Sequence, residues 1–379
     1  MSGSGEAGPL TVALVCPYSL SRPGGVQGQV IGLARSLTSR GHRAVVFAPI
    51  DDLSDAPSEC ELVVTGHSVA LPANGSLAPV TVSPLAVRRG LLSLRRLGPD
   101  VVHIHEPFAP GLTYGLFVTA APPPMIATFH RSGSSPLYAA LGPLTRRVAR
   151  RLATRCAVSE AAATTAREAL GGNYDVLFNG VDVGRYDVEP WPTSGPTVLF
   201  LGRHEDRKGL AVLLEAWTRL LSALPDSAGS PVLWVAGDGP ETGALRARFP
   251  ASRSLQWLGV LDEAEKDRRL VAADVLAAPS LGGESFGMVL LEGMAAGAVV
   301  VASDIDGYRD AAGGCAVLVP PADPVALADA LAAVLTGAVA ADRQRWLLRG
   351  VERANAWSMA SLAEHYEGIY TSAIGAERR

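Results

Sequence analysis

The chain has 379 residues, of which 48% are hydrophobic and 18% are charged, so it has apolar material for more than one core. A net charge of −4 and a pI near 6.0 exclude a protein whose overall charge attracts nucleic acid or an anionic membrane. Its four scattered cysteines fit neither a disulfide framework nor a zinc site. No apolar stretch approaches the roughly 20 residues of a spanning helix. We therefore expect a cytoplasmic protein that is soluble or peripheral to a membrane.

In the first half of the chain, apolar runs of strand length alternate with helical segments, a pattern typical of parallel sheets built from βα units. The predicted strands are Thr11–Cys16, Ala44–Ala48, Asp100–His105, Met125–His130 and Asp175–Phe178. The predicted helices are Gly28–Arg40, Leu85–Leu97 and Leu137–Ala153.

A second series of such units follows the turn-rich stretch Asn179–Pro196. Its predicted strands are Thr197–Leu201, Val232–Ala236, Leu255–Leu258, Val275–Ala278 and Val299–Ala302, each followed by a helical pattern. A last helix is predicted over Ser358–Ile374. We predict an α/β protein with two Rossmann-like, doubly wound parallel-sheet domains, residues 1–185 and 186–356, facing a deep cleft, while residues 357–379 cross back to the first domain.

The stretch from Gly282 to Gly297, GGESFGMVLLEGMAAG, is the most informative in the chain. Its glycines allow a ligand to approach the backbone closely, and the start of the predicted helix offers N–H groups to a diphosphate. Carboxylates repel phosphate, so Glu284 and Glu292 are better explained as acceptors for the hydroxyl groups of a nucleotide sugar. The alternative is an ordinary βα turn whose first-turn glutamate favours the helix dipole.

Further candidates for binding phosphate follow two other predicted strands. Gly24 and Gly25 precede a helix that begins near Val26 or Gln27, although any βα turn can use glycine there. In FLGRHEDRKGL, Arg203 leaves a strand and Lys208 begins a helix, so both cations can neutralise a diphosphate leaving group. We interpret the residues between them, Glu205, Asp206 and Arg207, as a solvated loop.

Histidines lie on two neighbouring predicted strands. His130 ends the strand of MIATFH and is either a cleft residue or a hydrogen-bonded structural histidine. His103 and His105 share one face of another strand, but no third ligand has a suggestive spacing, so we predict no metal site.

The second half of the chain contains LGRHEDRKG, VAGDGPE, LGVLDEAEK, GGESFGMVLLEGMAAG and VVASDIDG, in that order. It resembles the retaining glycosyltransferases of family 4, which have the two-Rossmann GT-B fold and two glutamates separated by seven residues. In the first half, VCPYSLSRPGGVQ, RGH, NGS, VVHIHEPFAP, IATFHRS and NGVDV are similar to the actinobacterial phosphatidylinositol mannosyltransferases, which use GDP-mannose. The resemblance implies a metal-independent hexosyltransferase without a cofactor, whose first domain binds the acceptor and whose second domain binds the donor.

The same resemblance implies roles for individual donor-site residues. The donor phosphates contact Gly24, Gly25, Arg203 and Lys208; the transferred sugar contacts His130 and Glu284; the ribose contacts Glu292; the base lies near Glu263 and Lys266; and further donor contacts come from Ser285, Phe286 and Gly287. His130, Arg203, Lys208 and Glu284 are the implied catalytic residues. An acidic side chain near the base can accept from guanine hydrogens that uracil lacks, which favours GDP.

The acceptor side follows the same relatives less closely. The residues implied to contact the acceptor are Tyr18, Gln27, Asn74 and Ser76. Ala73 stands where the subgroup has tyrosine, Pro79 where it has arginine, and Ser134 or Ser135 where it has lysine. The acceptor is therefore phosphatidylinositol or another polyol, with a soluble aminocyclitol or secondary metabolite as the alternative. A non-catalytic nucleotide-sugar-binding protein of the same fold is a third reading.

The predicted helix Leu85–Leu97 carries four arginines at spacings of seven: Arg88, Arg89, Arg95 and Arg96. A basic amphipathic helix can dock on anionic lipid at the inner face of the cell membrane. The alternative is a surface helix whose leucines face the core of the first domain. No feature of the sequence predicts a nucleic-acid partner.

Overall fold

A computed structural model describes residues 8–22, 24–73, 76–119, 123–131, 133, 145–224, 230–284 and 286–377. The chain divides into two compact units: Met1–Gly180 together with Met359–Arg379, and Val181–Ser358. Each unit is built on one parallel sheet with helices between its strands. The predicted fold class, α/β with two doubly wound Rossmann-like sheets, is confirmed.

The first unit contains a seven-stranded parallel sheet and a separate hairpin. The sheet strands are β1 (Thr11–Val15), β2 (Arg43–Ala48), β3 (Glu61–Val64), β6 (Val101–His105), β7 (Met125–Phe129), β8 (Thr154–Ala157) and β9 (Asp175–Val176); the antiparallel hairpin is β4 (Val69–Ala73) and β5 (Ser76–Val80). The order in the sheet is β3-β2-β1-β6-β7-β8-β9. It reverses between β1 and β6, so residues that follow these strands lie where ligands of such sheets bind.

The helices of the first unit cover its sheet. They are α1 (Gly25–Ser39), α2 (Pro84–Leu97), α3 (Leu112–Thr119), α4 (Glu160–Leu170) and α12 (Met359–Glu377). α2 has clear boundary signals, because Ser83 caps its start, Pro84 is its first residue and Gly98 ends it with φ 58°. α12 buries Tyr366 and Tyr370 in the core around β1 and α1.

The second unit has a six-stranded parallel sheet. Its strands are β10 (Thr197–Leu201), β11 (Val232–Ala236), β12 (Leu255–Gly259), β13 (Val275–Ala278), β14 (Val299–Ser303) and β15 (Val317–Val319). The order is β12-β11-β10-β13-β14-β15. It reverses between β10 and β13, which places the loops after these two strands at the switch point of the sheet.

Seven described helices belong to the second unit. They are α5 (Leu210–Ala223), α6 (Thr242–Arg248), α7 (Glu263–Ala272), α8 (Met288–Ala295), α9 (Asp306–Ala312), α10 (Pro324–Leu335) and α11 (Ala340–Ala356). Short 3-10 turns occur at Leu53–Asp55, Val183–Tyr186 and Asp206–Lys208.

Among the described helices, none taken singly has the length and apolarity to cross a bilayer. Together, α10 and α11 meet that test, but they are bent by 94° at their junction.

The predicted strands of the second series agree with the structure to within one residue at each end. In the first series, Asp175–Phe178 is two residues too long, and α1 begins at Gly25 instead of Val26 to Gly28. The predicted helix Leu137–Ala153 lies partly outside the described residues. The short strands β3, β8 and β15 and the hairpin of β4 and β5 were not predicted.

Candidate active site

The switch point of the second sheet brings together three of the polar residues predicted to bind the donor. Arg203 and Lys208 follow β10, and Glu284 follows β13. Nζ of Lys208 donates to Oε1 of Glu284. The loops after β10 and β13 therefore meet, as the sheet order requires.

Glu284 is the centre of a small group of charges. Besides Lys208, Nη1 of Arg207 donates to its carboxylate at 3.2 Å and Oγ of Ser280 at 3.4 Å. The side chain of Glu284 is only 13% exposed. A carboxylate in this position accepts hydroxyl hydrogens, and the cations around it are donors for phosphate oxygens.

The loop from Arg203 to Lys208 differs from its predicted description as solvated. Glu205 has an 11% exposed side chain and binds Nη2 of Arg203 at 2.9 Å and Nε of Arg207 at 3.0 Å. The interpretation of Glu205 and Arg207 as solvated residues was wrong, because both belong to the charge network around Glu284. Lys208 ends a 3-10 turn, and α5 begins two residues later at Leu210.

A second charge network surrounds Glu292, which lies inside α8. Burial raises the pKa of Glu292, an effect that Lys266 and Arg185 oppose. Lys266 lies 3.6 Å from Glu292 and 3.0 Å from Glu263, so it joins the two carboxylates. Arg185 also binds Glu263 and pairs with Asp267 at 2.8 Å. Glu263 and Lys266, predicted to lie near the base, and Glu292, predicted to contact the ribose, are thus neighbours. Arg185 was not predicted as a member of this group.

The turn before α8 is held by packing. Gly287 has φ 77°, and a Cβ there would lie 2.7 Å from Cδ1 of Tyr308, so glycine is required. Phe286 is 4% exposed and stacks on Trp357 with ring centroids 5.3 Å apart. Its ring is therefore a packing group, and the donor contact of Phe286 stays a prediction. Ser285 lies outside the described residues.

In the first unit, the glycine loop after β1 leads into α1. Gly24 is the N-cap residue of α1, and among the described residues no side chain caps this helix start. A Cβ at Gly24 would lie 2.4 Å from Oε1 of Gln27. Nε2 of Gln27 donates to the carbonyl oxygens of Ser19 at 3.2 Å and Arg22 at 3.1 Å. Gln27 thus holds the loop from within, and its contact with the acceptor stays a prediction.

His130 directly follows β7 and is held by a buried carboxylate. Oε2 of Glu106 accepts from the backbone N–H groups of His130 at 3.0 Å and Arg131 at 3.1 Å. Glu106 itself has φ 50°, an uncommon conformation for a residue with a Cβ, which often marks a functional site. Burial raises the pKa of the nearby Tyr18, and the charge of Glu106 adds to this effect.

The histidines of β6 are engaged by protein groups. His103 contacts Tyr370 and Thr128, and Nδ1 of His105 lies 3.0 Å from Nε2 of His130. No group of three potential metal ligands occurs in the part of the chain that the structure describes.

The predicted acceptor residues of the hairpin are only partly visible. Asn74 and the side chain of Ser76 lie outside the described residues. The backbone of Ser76 pairs with Ala73 in the hairpin, and Pro79 accepts from Ser19 N at 2.8 Å. The hairpin is therefore joined to the loop that follows β1.

Residues 23–185 match Glycosyltransferase Family 4, and residues 195–337 match Glycosyl transferases group 1. The chain is 37% identical to a phosphatidyl-myo-inositol mannosyltransferase of Mycolicibacterium smegmatis, over 97% of this chain and 95% of the relative. The chain belongs to glycosyltransferase family 4. Its identity as an enzyme that transfers a hexose follows from this membership.

Two solved structures of other proteins share the fold of this family 4 enzyme. A glycosyltransferase from Rickettsia africae superposes with a TM-score of 0.73 at 16% identity, covering 97% of this chain and 99% of that one. Anabaena HepE in complex with UDP superposes with a TM-score of 0.70 at 19% identity, covering 96% and 100%. Both likenesses support the GT-B fold.

Four residues of this family 4 glycosyltransferase were not identified from the sequence as part of the candidate site: Glu106, Arg185, Arg207 and the His105 partner of His130. Arg207 stands beside Lys208 and could have been found from that position. The signal for Glu106 and Arg185 is weaker, since their partners are distant in the sequence.

Proposed function

We propose that this glycosyltransferase moves mannose from GDP-mannose to the inositol ring of phosphatidylinositol, with retention of anomeric configuration. The observation that carries the proposal is the group of Arg207, Lys208 and Glu284 at the switch point of the second sheet. It combines cations for a diphosphate with an acceptor for a sugar hydroxyl. The choice of sugar and acceptor is supported by the near full-length similarity to the mycobacterial mannosyltransferase.

The chemistry follows from where charge develops. Breaking the anomeric bond puts negative charge on the diphosphate and oxocarbenium character on the sugar. Arg203 and Lys208 then strengthen their contacts with the leaving group, which lowers the barrier without requiring a metal ion. Glu284 orients the sugar, and we propose that His130 contacts the sugar near the reacting carbon.

The proposed nucleotide is GDP because of the charges on α7. Glu263 and Lys266 lie one turn apart at its start, and Lys266 also reaches Glu292. A carboxylate can accept from N1 and N2 of guanine, while Glu292 accepts from the ribose. Arg185 shares Glu263, so it orients the carboxylate that reads the base.

Transfer is tested with radiolabelled GDP-mannose and liposomes containing phosphatidylinositol, in parallel with UDP-glucose and with free inositol. We expect transfer only from the guanosine donor and an α-linked product. Lys208→Ala and Glu284→Ala should each lower kcat by about 10²-fold or more, the scale of one lost transition-state contact. Near-normal rates in both variants would contradict the site, and binding of the donor without hydrolysis or transfer to any acceptor would favour a non-catalytic protein.

The nucleotide is tested by thermal unfolding with GDP, UDP and ADP sugars. A true donor at 100 times its dissociation constant stabilises the protein by about 2.7 kcal/mol. A larger shift with a uridine sugar would overturn the choice of GDP.

A soluble acceptor is the second candidate, and Pro79 favours it. Pro79 lies in β5 and gives this hairpin no positive charge where an arginine is expected for a phosphoinositide. Transfer to an aminocyclitol, without transfer to phosphatidylinositol, would establish this alternative.

Peripheral contact with an anionic membrane is the last part of the proposal, and the exposed face of α2 supports it. Arg88, Arg89, Arg95 and Arg96 are all exposed, as are Leu85 at 63% and Leu92 at 42%. At 100° per residue, the six side chains share a face about 120° wide, with the leucines between the arginines. Leu94, in contrast, packs in the core. The helix therefore has one face for the protein and one that suits a lipid surface.

A further inference from the structure

The first unit contains three clustered histidines, of which the proposed reaction uses one. His103 is fully buried, with Nδ1 at 2.8 Å from the hydroxyl of Tyr370 and Nε2 at 2.7 Å from Oγ1 of Thr128. Both of its ring nitrogens are satisfied. His105 lies two residues further along β6, on the same face, and its ring reaches a different partner.

His105 and His130 are joined by one hydrogen bond. Nδ1 of His105 lies 3.0 Å from Nε2 of His130, and the rings stack with centroids 5.3 Å apart. Burial lowers the pKa of His130 to about 4 and the pKa of His105 well below 6.5. Both rings are therefore neutral at pH 7, and each has one N–H. Because one ring must donate and the other accept, the tautomer of one fixes that of the other.

Next to the His105–His130 hydrogen bond, Nε2 of His105 and Oδ1 of Asn179 are both buried and have no hydrogen-bond partner within the described part of the chain. Both residues line one cavity, together with His130 and Tyr366, and the cavity has room for about one water molecule. A buried polar atom without a hydrogen-bond partner destabilises the fold. One water satisfies both atoms: it donates to the amide oxygen and either accepts from Nε2–H of His105 or donates to an unprotonated Nε2. The water therefore suits either tautomer, and the charge on the reacting sugar decides which one is productive.

We propose that this cavity is a water-binding site and that His105 is a positioning residue that fixes the tautomer of His130. Nε2–H of His130 donates to Nδ1 of His105, Nε2–H of His105 donates to the water, and the water donates to Oδ1 of Asn179. His130 then presents the lone pair of Nδ1, to which no described residue donates.

The catalytic consequence rests on the proposed function, in which His130 contacts the donor sugar. The sugar acquires positive, oxocarbenium character in the transition state. A lone pair aimed at that charge stabilises it, whereas an N–H group would oppose it. The Nε2–H tautomer is therefore the productive one, and its partner His105 maintains it.

The tautomer is measured by NMR on the full chain labelled with ¹⁵N-histidine, with the signals of His130 assigned from His130→Gln. We expect His130 to be protonated on Nε2. Protonation on Nδ1 would overturn the proposal. His105→Phe keeps a ring for stacking but removes both nitrogens, so it should give a mixture of His130 tautomers; an unchanged His130 would also overturn the proposal. Asn179→Leu, which removes the acceptor of the water, should shift the His105 signals, and unchanged signals would contradict the water site.

Kinetics separate positioning from packing. His105→Phe should lower kcat for mannosyl transfer by about 10²-fold, the cost of a misplaced catalytic group, with little change in the KM for the donor. His105→Asn, whose amide oxygen can accept from His130, should restore part of this rate. Equal losses in both variants would indicate packing alone and contradict the proposal. The NMR readout needs no turnover, so absence of transfer from GDP-mannose would contradict the proposed function and leave the tautomer to be judged separately.

Discussion

Glu284 lies between two cations, so its carboxylate already has hydrogen-bond donors before a sugar donor binds. Its carboxylate accepts from Lys208 and, at 3.2 Å, from Arg207. A diphosphate competes for the same N–H groups. The side chain of Arg207 is 35% exposed, so phosphate oxygens can reach it. We expect Arg207 to turn from Glu284 to the donor and to release the carboxylate for the sugar.

Replacing Arg207 by alanine should therefore weaken catalysis. A hydrogen bond to a charged group contributes about 1.5–3 kcal/mol, so kcat/KM for the donor should fall about ten- to hundredfold. Steady-state kinetics with varied GDP-mannose measure this. Arg248→Ala is the matched control, because Arg248 is an exposed arginine of the same unit that pairs with Glu215. Equal rates for the two variants would show that Arg207 has no part in binding the donor.

At the residue scale, the sequence predicts which residues belong to the site better than it predicts the contacts between them. Lys208 and Glu284 were predicted for one site and are bonded in the structure, because the spacing of βα units places the ends of β10 and β13 together. Arg207 was misread because adjacent charges in a loop resemble a solvated turn. The strained backbone of Glu106, at φ 50°, has no sequence signal, since glutamate rarely adopts it.

At the scale of elements, the buried central strands were predicted accurately. β10 and β13 are continuous apolar runs because helices cover both faces of a parallel sheet. β8, with the sequence TRCA, and the proline-containing hairpin lack such runs and were missed. α2 was predicted to within one residue, and its serine cap, first-turn proline and terminal glycine are local signals that agree with these bounds.

The exposed face of α2 leads to a prediction for lipid binding. We expect the quadruple replacement of its exposed arginines by glutamine to weaken sedimentation with anionic liposomes at low salt. Each arginine near an anionic surface contributes about 1 kcal/mol, so the partition coefficient should fall by up to about 10³-fold. The wild-type binding itself should weaken at high salt, because screening shortens the reach of these charges.

The matched control replaces four exposed arginines of the second unit by glutamine. It removes four positive charges from a chain with a net charge of −4, as many as the α2 variant removes. These residues are Arg219, Arg246, Arg248 and Arg345. The control should bind liposomes as the wild type does. Equal losses in both variants would trace the binding to net charge and contradict a docking role for α2.

At the scale of the whole molecule, two domains were expected from the length and from two series of βα units, and the structure has two compact units. Their chemical contents differ. Three histidines whose pKa values burial lowers, His103, His105 and His130, belong to the first unit, and His204, whose pKa burial also lowers, belongs to the second. All six tryptophans lie between Trp191 and Trp357, in the second unit. Tryptophan fluorescence therefore reports the second unit alone.

With three such histidines in the first unit and one in the second, we predict that acid destabilises the first unit more than the second. Burial lowers the pKa of His103 from 6.5 to about 3 and that of His130 to about 4. Between these values and 6.5, the unfolded chain binds more protons than the native one. The free energy of unfolding is therefore unaffected by these histidines above pH 6.5 and decreases as the pH is lowered below it. The decrease in the free energy of unfolding approaches about 1.4 kcal/mol per pH unit for each histidine.

Urea unfolding at pH 7.5 and pH 5.5 measures this loss. The transition followed by far-ultraviolet circular dichroism should gain an early component at pH 5.5, while the tryptophan transition moves less, since the raised pKa of Glu292 favours the native second unit as the pH falls. GDP at pH 5.5 should move the tryptophan transition and leave the early component in place. His105→Phe removes one titrating ring and should reduce the pH dependence of that component. Coincident transitions that shift equally with pH would contradict the assignment, because the acid sensitivity would then belong to the whole chain and not to the histidines of one unit.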